Sequence, residues 1–243
     1  MSKRERVDLQ LVERGLVSSR QKAQALILAG KVYSGETRID KSGQKLPSDA
    51  PLNVREGLPY VGRGGLKLEA GLDHFGVDPG GLKCLDVGAS TGGFTDCLLQ
   101  RGAAVVWCVD VGYGQLDWKL RTDSRVVVLE RTNFRTVSEG TLPQDFDLGV
   151  VDVSFISLRM ILPNLKRSLG DGADAVVLVK PQFEVGRDLV GKGGVVREEG
   201  VRRSALEKFE KHAREEGFEV AGAMDCPVPG ADGNVEYLVH LQC

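Results

Sequence analysis

The chain has 243 residues, 42% hydrophobic and 27% charged, enough for one sizeable core and a small satellite domain. Five cysteines, three histidines and no Cys-x-x-Cys pair exclude a disulfide framework and a zinc site, and no apolar run is long enough to span a bilayer. The start, Met1-Ser2-Lys3-Arg4-Glu5-Arg6, has no apolar stretch behind it, so a cytoplasmic location is expected.

Net charge is -2, but it is unevenly spread: residues 1–67 hold 13 Lys and Arg against 7 Asp and Glu, leaving an acidic remainder. That asymmetry predicts a basic arm on a catalytic body. Val7, Leu9, Leu11 and Val12 predict a short amphipathic helix over 6–14 that stops at Gly15. Ser18 and Ser19 are N-cap candidates for a second helix, Arg20 to Ala29, followed by short β segments near 31–33 and 37–39. The stretch Arg6 to Tyr33, with its Gly-Leu-x-x-Ser-Arg and Ala-Gly-x-Val elements, resembles the alpha-L RNA-binding module. That resemblance implies an α+β RNA-binding domain over residues 1–57, with Arg6, Arg20 and Lys31 as candidate phosphate contacts.

A linker, 58–62, leads into a helix whose Leu68, Leu72 and Phe75 share one face. Lys67 lies off that stripe and by itself reads as a solvated side chain. Next, an apolar strand, Leu82 to Val87, runs into Gly88-Ala-Ser-Thr-Gly-Gly-Phe94, and Phe94, Leu98 and Leu99 then recur at helical spacing. Strand, tight turn and helix in that order mark a cofactor loop. The spacing Gly88-x-Ser90-x-x-Gly93 departs from a dinucleotide fingerprint at the middle position, where backbone must approach a pyrophosphate. A dehydrogenase is therefore disfavoured and S-adenosylmethionine (SAM), which carries no phosphate, is preferred. Asp86 is expected to face its cationic end, Gly88, Ser90 and Gly92 to shape the loop, and Asp110, closing the strand 103–109, to bind the ribose hydroxyls. Asn133 is an adenine-neighbour candidate.

Further strands are expected at 126–129, 146–151, 175–179, 218–223 and 235–241, with helices from Leu158 to Leu165 and over 197–216. Gly186 to Gly194 reads as a mobile loop beside the site. Alternating strands and helices predict an α/β, doubly wound, Rossmann-like body over 63–243, a parallel sheet whose carboxyl rim collects Asp86, Asp110, Asp152 and Lys180. Spacing leaves open whether Lys67 and Glu236 reach that rim.

The segments Asp86-Val-Gly-Ala-Ser-Thr-Gly-Gly-Phe-Thr95, Asp110 to Leu116, Val151-Asp-Val-Ser-Phe-Ile-Ser157, Val179-Lys-Pro-Gln-Phe-Glu184 and Gly233-Asn-Val-Glu236 resemble the TlyA family, whose body is an FtsJ-like SAM-dependent methyltransferase. The resemblance implies 2'-O-methylation of cytidine in ribosomal RNA, as free RNA or in ribosomal subunits, by a tetrad falling on Lys67, Asp152, Lys180 and Glu236. No metal is required for such a reaction, in which holding oxygen, methyl carbon and sulfur in line is the main task. Lys180 is expected to contact the hydroxyl, as base or as orienting cation, with Asp152 and Glu236 orienting the lysines. Phe155 is a candidate for stacking on a flipped base. A catalytically silent RNA-binding or ribosome-assembly factor, and a membrane-active haemolysin, a label the family has carried, are the alternatives.

Overall fold

The computed structural model describes residues 3–54, 58–138 and 140–243. The chain divides into two compact units, Met1–Pro59 and Tyr60–Cys243. The expected boundary at 57 falls on residues 55–57, which lie outside those described. Tyr60, expected in a linker, is buried in the core of the larger unit, and its hydroxyl donates to Glu69 at 2.8 Å.

The smaller unit contains β1 (Arg4–Arg6), α1 (Val7–Glu13), α2 (Arg20–Leu28), β2 (Val32–Ser34), β3 (Thr37–Arg38), β4 (Lys45–Pro47) and β5 (Asn53–Val54). Both helices lie where the apolar spacing predicts them, and the Ser19 hydroxyl accepts from the Lys22 N–H to cap α2. Val7, Leu11, Ala23, Ile27 and Val32 form its core, whereas Leu9 faces outward. Strands of two or three residues fall below what a period-2 pattern reveals, so β1, β4 and β5 escape sequence reading.

The larger unit opens with α3 (Arg63–Phe75), β6 (Lys83–Val87), α4 (Gly93–Gln100), β7 (Val105–Val109), α5 (Trp118–Arg121) and β8 (Val126–Leu129). It continues through β9 (Phe146–Val151), α6 (Leu162–Ser168), β10 (Leu169–Val179), α7 (Pro181–Glu184), α8 (Glu199–Glu215), β11 (Glu219–Asp225) and β12 (Tyr237–Gln242). Seven strands form one sheet in the order β11-β12-β10-β9-β6-β7-β8. The first five in sequence run parallel, but β12 is antiparallel to both β10 and β11. The all-parallel expectation is thus corrected at one edge: β11 and β12 are joined by a short return without a crossover helix, which only antiparallel pairing permits.

Each sheet face carries its own core. Leu85, Val87, Val177 and Val239 pack with Leu162, Leu165 and Phe209 of α6 and α8, while Cys84, Val150, Val176 and Leu238 pack with Leu68, Leu72, Phe94 and Leu98 of α3 and α4. Consecutive strand residues therefore serve opposite faces. Each fully buried Leu contributes about 1.5–3 kcal/mol, which holds the strand ends in place as a rigid rim. No helix among the described residues is long and apolar enough to cross a membrane.

Candidate active site

Two adjoining cavities open at the carboxyl ends of β6, β7, β9 and β10. The larger, about 370 Å³, is walled by Gly88, Ser90, Asp110, Asn133, Phe155 and Ile156 among others. The second, about 280 Å³, is lined by Arg63, Lys67, Thr91, Asp152, Ser154 and Lys180. Gly88, Ser90, Asp152 and Ser154 line both cavities.

The loop after β6 is shaped by close approach. A Cβ on Gly88, whose φ is 86°, would stand 2.4 Å from the Asp152 carbonyl oxygen, so only glycine lets the loop pass the end of β9. Ser90 takes a φ of 50°, and its N–H donates to Asp110 at 2.8 Å. The other Asp110 oxygen accepts from the Gly112 N–H at 2.6 Å. Held by two backbone donors, that carboxylate keeps lone pairs free for hydroxyls in the larger cavity. Asn133 lines the same wall, where its side-chain oxygen accepts from the Arg135 N–H at 3.1 Å.

Two expected cofactor residues stand elsewhere. Asp86 is fully buried and lines neither cavity; its carboxylate accepts from the Thr95 hydroxyl of α4 at 2.6 Å, and that hydroxyl lies 3.0 Å from the Cys108 sulfur. The cause is strand alternation, which turns Asp86 to the same face as Cys84, beneath α4. Gly92, with a φ of 95°, is packed away from the cavities: a Cβ there would stand 2.2 Å from Leu120. It lines neither cavity.

Burial pushes the Asp86 carboxyl up to about 7, against the pull of the Thr95 hydroxyl. The folded chain then keeps a proton that the unfolded chain has released. That contribution to stability is present below the ordinary carboxylate value and is lost as pH rises through about 7. Urea unfolding at a series of pH values is expected to show stability declining across this window, and the decline should flatten in Asp86→Asn. An unchanged slope in the variant would contradict this.

The four residues expected as a tetrad form two ion pairs, and three of them, Lys67, Asp152 and Lys180, line the second cavity. Lys180, at the end of β10, lies 2.5 Å from Asp152 at the end of β9 and donates to Ser154 at 2.9 Å. Lys67 of α3 lies 2.5 Å from Glu236, which immediately precedes β12. Lys67 is only 8% exposed, which corrects the solvated-lysine reading. Its aliphatic stem packs off the apolar stripe but its amine turns inward, to a carboxylate that no local pattern could announce. Glu236 itself is 2% exposed and stands behind Lys67. Gly230 makes room for it: a Cβ there would lie 2.1 Å from its carboxylate oxygen. The end of the glycine-rich loop is tied to the same segment, because the Asn234 side chain accepts from Val196 N–H at 3.2 Å and donates to the Gly194 carbonyl at 3.0 Å.

Phe155 stands on the rim of the larger cavity, 90% exposed, with its ring centroid 5.1 Å from that of Phe183. In the smaller unit Arg6 and Arg20 both donate to Asp8 at 2.9 Å, and Gln24 donates to it at 3.1 Å. Asp8 is fully buried, and the Arg6 guanidinium leads in holding its carboxyl well below the usual range. Sequence reading missed this organiser, whose signal was an aspartate at a core position of α1. Lys31 is half-buried just ahead of β2. Ser154, Thr91 and Arg63 were also missed, although the first two flank motif residues. Among the described residues no group of three or more His, Cys, Asp or Glu side chains could hold a metal ion.

A model of FtsJ-like methyltransferases matches residues 60–243, and a model of the S4 domain matches residues 5–50. A Bacillus subtilis protein, YqxC, provisionally named an rRNA methyltransferase, is 52% identical over 99% of this chain and 86% of its own length. The 16S/23S rRNA (cytidine-2'-O)-methyltransferase TlyA of Mycobacterium tuberculosis is 47% identical over 100% of this chain and 91% of its own. A solved Streptococcus thermophilus chain, provisionally described as a hemolysin, superposes with a TM-score of 0.75 at 43% identity, covering 100% of this chain and 89% of that one.

Proposed function

The chain belongs to the FtsJ-like methyltransferase family, in the TlyA branch that sets an S4 domain ahead of the enzyme, and on that premise we propose that it methylates the ribose 2'-hydroxyl of a cytidine in ribosomal RNA. A ribosomal substrate puts its site of action in the cytoplasm. The observation that carries the reading is the junction of the two cavities, where Asp152 stands at the wall shared by a roomy pocket and a polar one and holds Lys180 on the polar side.

The residues present suit SAM. The larger cavity has the size of a nucleoside site, the Asp110 carboxylate offers acceptors for ribose hydroxyls, and Gly88 leaves the loop without a side chain at the junction. Gly88, Ser90, Asp110 and Asn133 would hold it, with Asp86 and Gly92 bracing the loop from below. SAM supplies the electrophilic methyl. The protein's task is to place a hydroxyl oxygen in line with it and to manage that oxygen's proton.

Lys180 is the group for that task, since it lines the polar cavity and reaches Ser154, a hydroxyl already bound as a sugar hydroxyl would be. Asp152 fixes the Lys180 amine from one side, and Glu236 fixes Lys67 from behind, so two cations converge with their directions set by two carboxylates. The aromatic rim at Phe155 would stack on the target base once it leaves its helix. Arg6, Arg20 and Lys31 would meet phosphates and supply salt-dependent affinity without sequence choice.

The test is tritiated methyl transfer from SAM to each purified ribosomal subunit, followed by mapping of blocked 2' positions. A 2'-O-methylcytidine in rRNA is the expected product. Label on a base or on protein would refute the proposal.

A further inference from the structure

Two loops meet beside the site. One leaves β9 and carries Asp152, Ser154 and Phe155; the other leaves β10 at Lys180 and turns at once into α7, which carries Phe183. Glu184 joins them: one carboxylate oxygen accepts from the Ser157 hydroxyl at 2.7 Å, the other from the Leu158 N–H at 2.8 Å. Both bonds cross from one strand end to the next. Burial pushes the Glu184 carboxyl up, and the two donated hydrogen bonds pull it back.

Phe155 lies two residues before Ser157 and has a φ of 63°. A non-glycine residue held there is strained and persists only where its surroundings over-determine it. A ring 90% exposed gains little from burial to offset that strain. The fixed points nearby are the bonds to Glu184 downstream and the Asp152–Lys180 pair upstream. Phe183, on Glu184's own turn, lies against the Phe155 ring, with the Lys180 amine 6.0 Å from the Phe183 centroid.

We infer that Glu184 is a positioning residue: by holding Ser157 and Leu158 it sets Phe155 against Phe183, so that the two rings form one ledge for the target nucleobase beside Lys180. This rests on the stacking role proposed for Phe155.

The test is steady-state methyl transfer to purified ribosomal subunits by the full-length protein, with SAM affinity and melting temperature measured alongside. Phe155→Ala and Glu184→Ala should each lower kcat by about 10²-fold at saturating SAM, the scale of a small misplacement at a reacting centre. Glu184→Gln keeps an acceptor for the Leu158 N–H and turns the Ser157 bond round, its amide donating to the serine oxygen, and should restore most of the rate. The Phe155→Ala/Glu184→Ala double variant should be little slower than either single one, because both remove one shared function. Full multiplication of the two losses, or a Glu184→Ala defect that tracks lost SAM binding, would overturn the positioning role. Phe155→Ala at the wild-type rate would overturn the stacking reading itself, a result that involves no change at Glu184. If Glu184→Ala fails to fold, Ser157→Ala removes one bond and no charge; its smaller loss of kcat should vanish in the Phe155→Ala background, and persistence there would count against the inference.

Discussion

Lys180→Ala is expected to lower methyl transfer to ribosomal RNA by about 10³-fold while leaving SAM affinity nearly unchanged. Lys180 lines the polar cavity and is absent from the wall of the larger one, so under the proposed mechanism its loss removes the group that would meet the hydroxyl and spares the wall that would hold SAM. It also strips Asp152 of its cation at 2.5 Å, leaving a partly buried carboxylate beside the reacting oxygen. Repulsion between that charge and a developing alkoxide adds to the defect. Single-turnover transfer with saturating SAM, paired with calorimetric titration of SAM, separates the two effects. A variant within about tenfold of the wild-type rate would remove Lys180 from the mechanism, since about 1.4 kcal/mol is too little for a group placed at the reacting centre.

Glu236→Ala should damage both fold and rate. Glu236 is 2% exposed and its partner Lys67 is 8% exposed, so the truncation leaves an ammonium in a buried site without its counter-ion. Breaking a buried pair from one side costs about 3–5 kcal/mol, a large share of a domain's stability. Replacing both partners, Lys67→Met with Glu236→Leu, should recover most of that stability, because a buried pair is weak as a stabiliser when both charges can be exchanged for apolar volume. Methyl transfer should stay lost in the double variant. Urea midpoints and transfer rates measured on the two single variants and the pair would settle it. Recovery of rate together with stability would mean that the Lys67–Glu236 pair supports the fold alone.

Much of the architecture can be read from the chain. The apolar runs at 103–109 and 146–151 are each followed by an aspartate, and together with the run at 82–87 they become strands that end at one rim. Glycine at 88 marks a passage where backbone meets backbone, and the structure shows why no side chain could stand there. The same alternation that marks a strand also holds the correction at Asp86: it is two residues from Cys84, so it belongs to the face under α4 and not to the mouth of the loop. That signal was present in the sequence. The antiparallel place of β12 was not, since an apolar run does not state its direction.

Local order in the chain determined the longer strands and helices, the glycine loop after β6 and the basic character of the first segment, because these follow from period, turn chemistry and charge within a few neighbouring residues. Only the tertiary structure decided the pairings of Lys67 with Glu236, of Lys180 with Asp152 and of Glu184 with the turn at Ser157 and Leu158. Those partners lie from 26 to 169 residues apart, and what brings them together is burial of two apolar faces on one sheet, a force with no memory of which charged residues it will leave side by side.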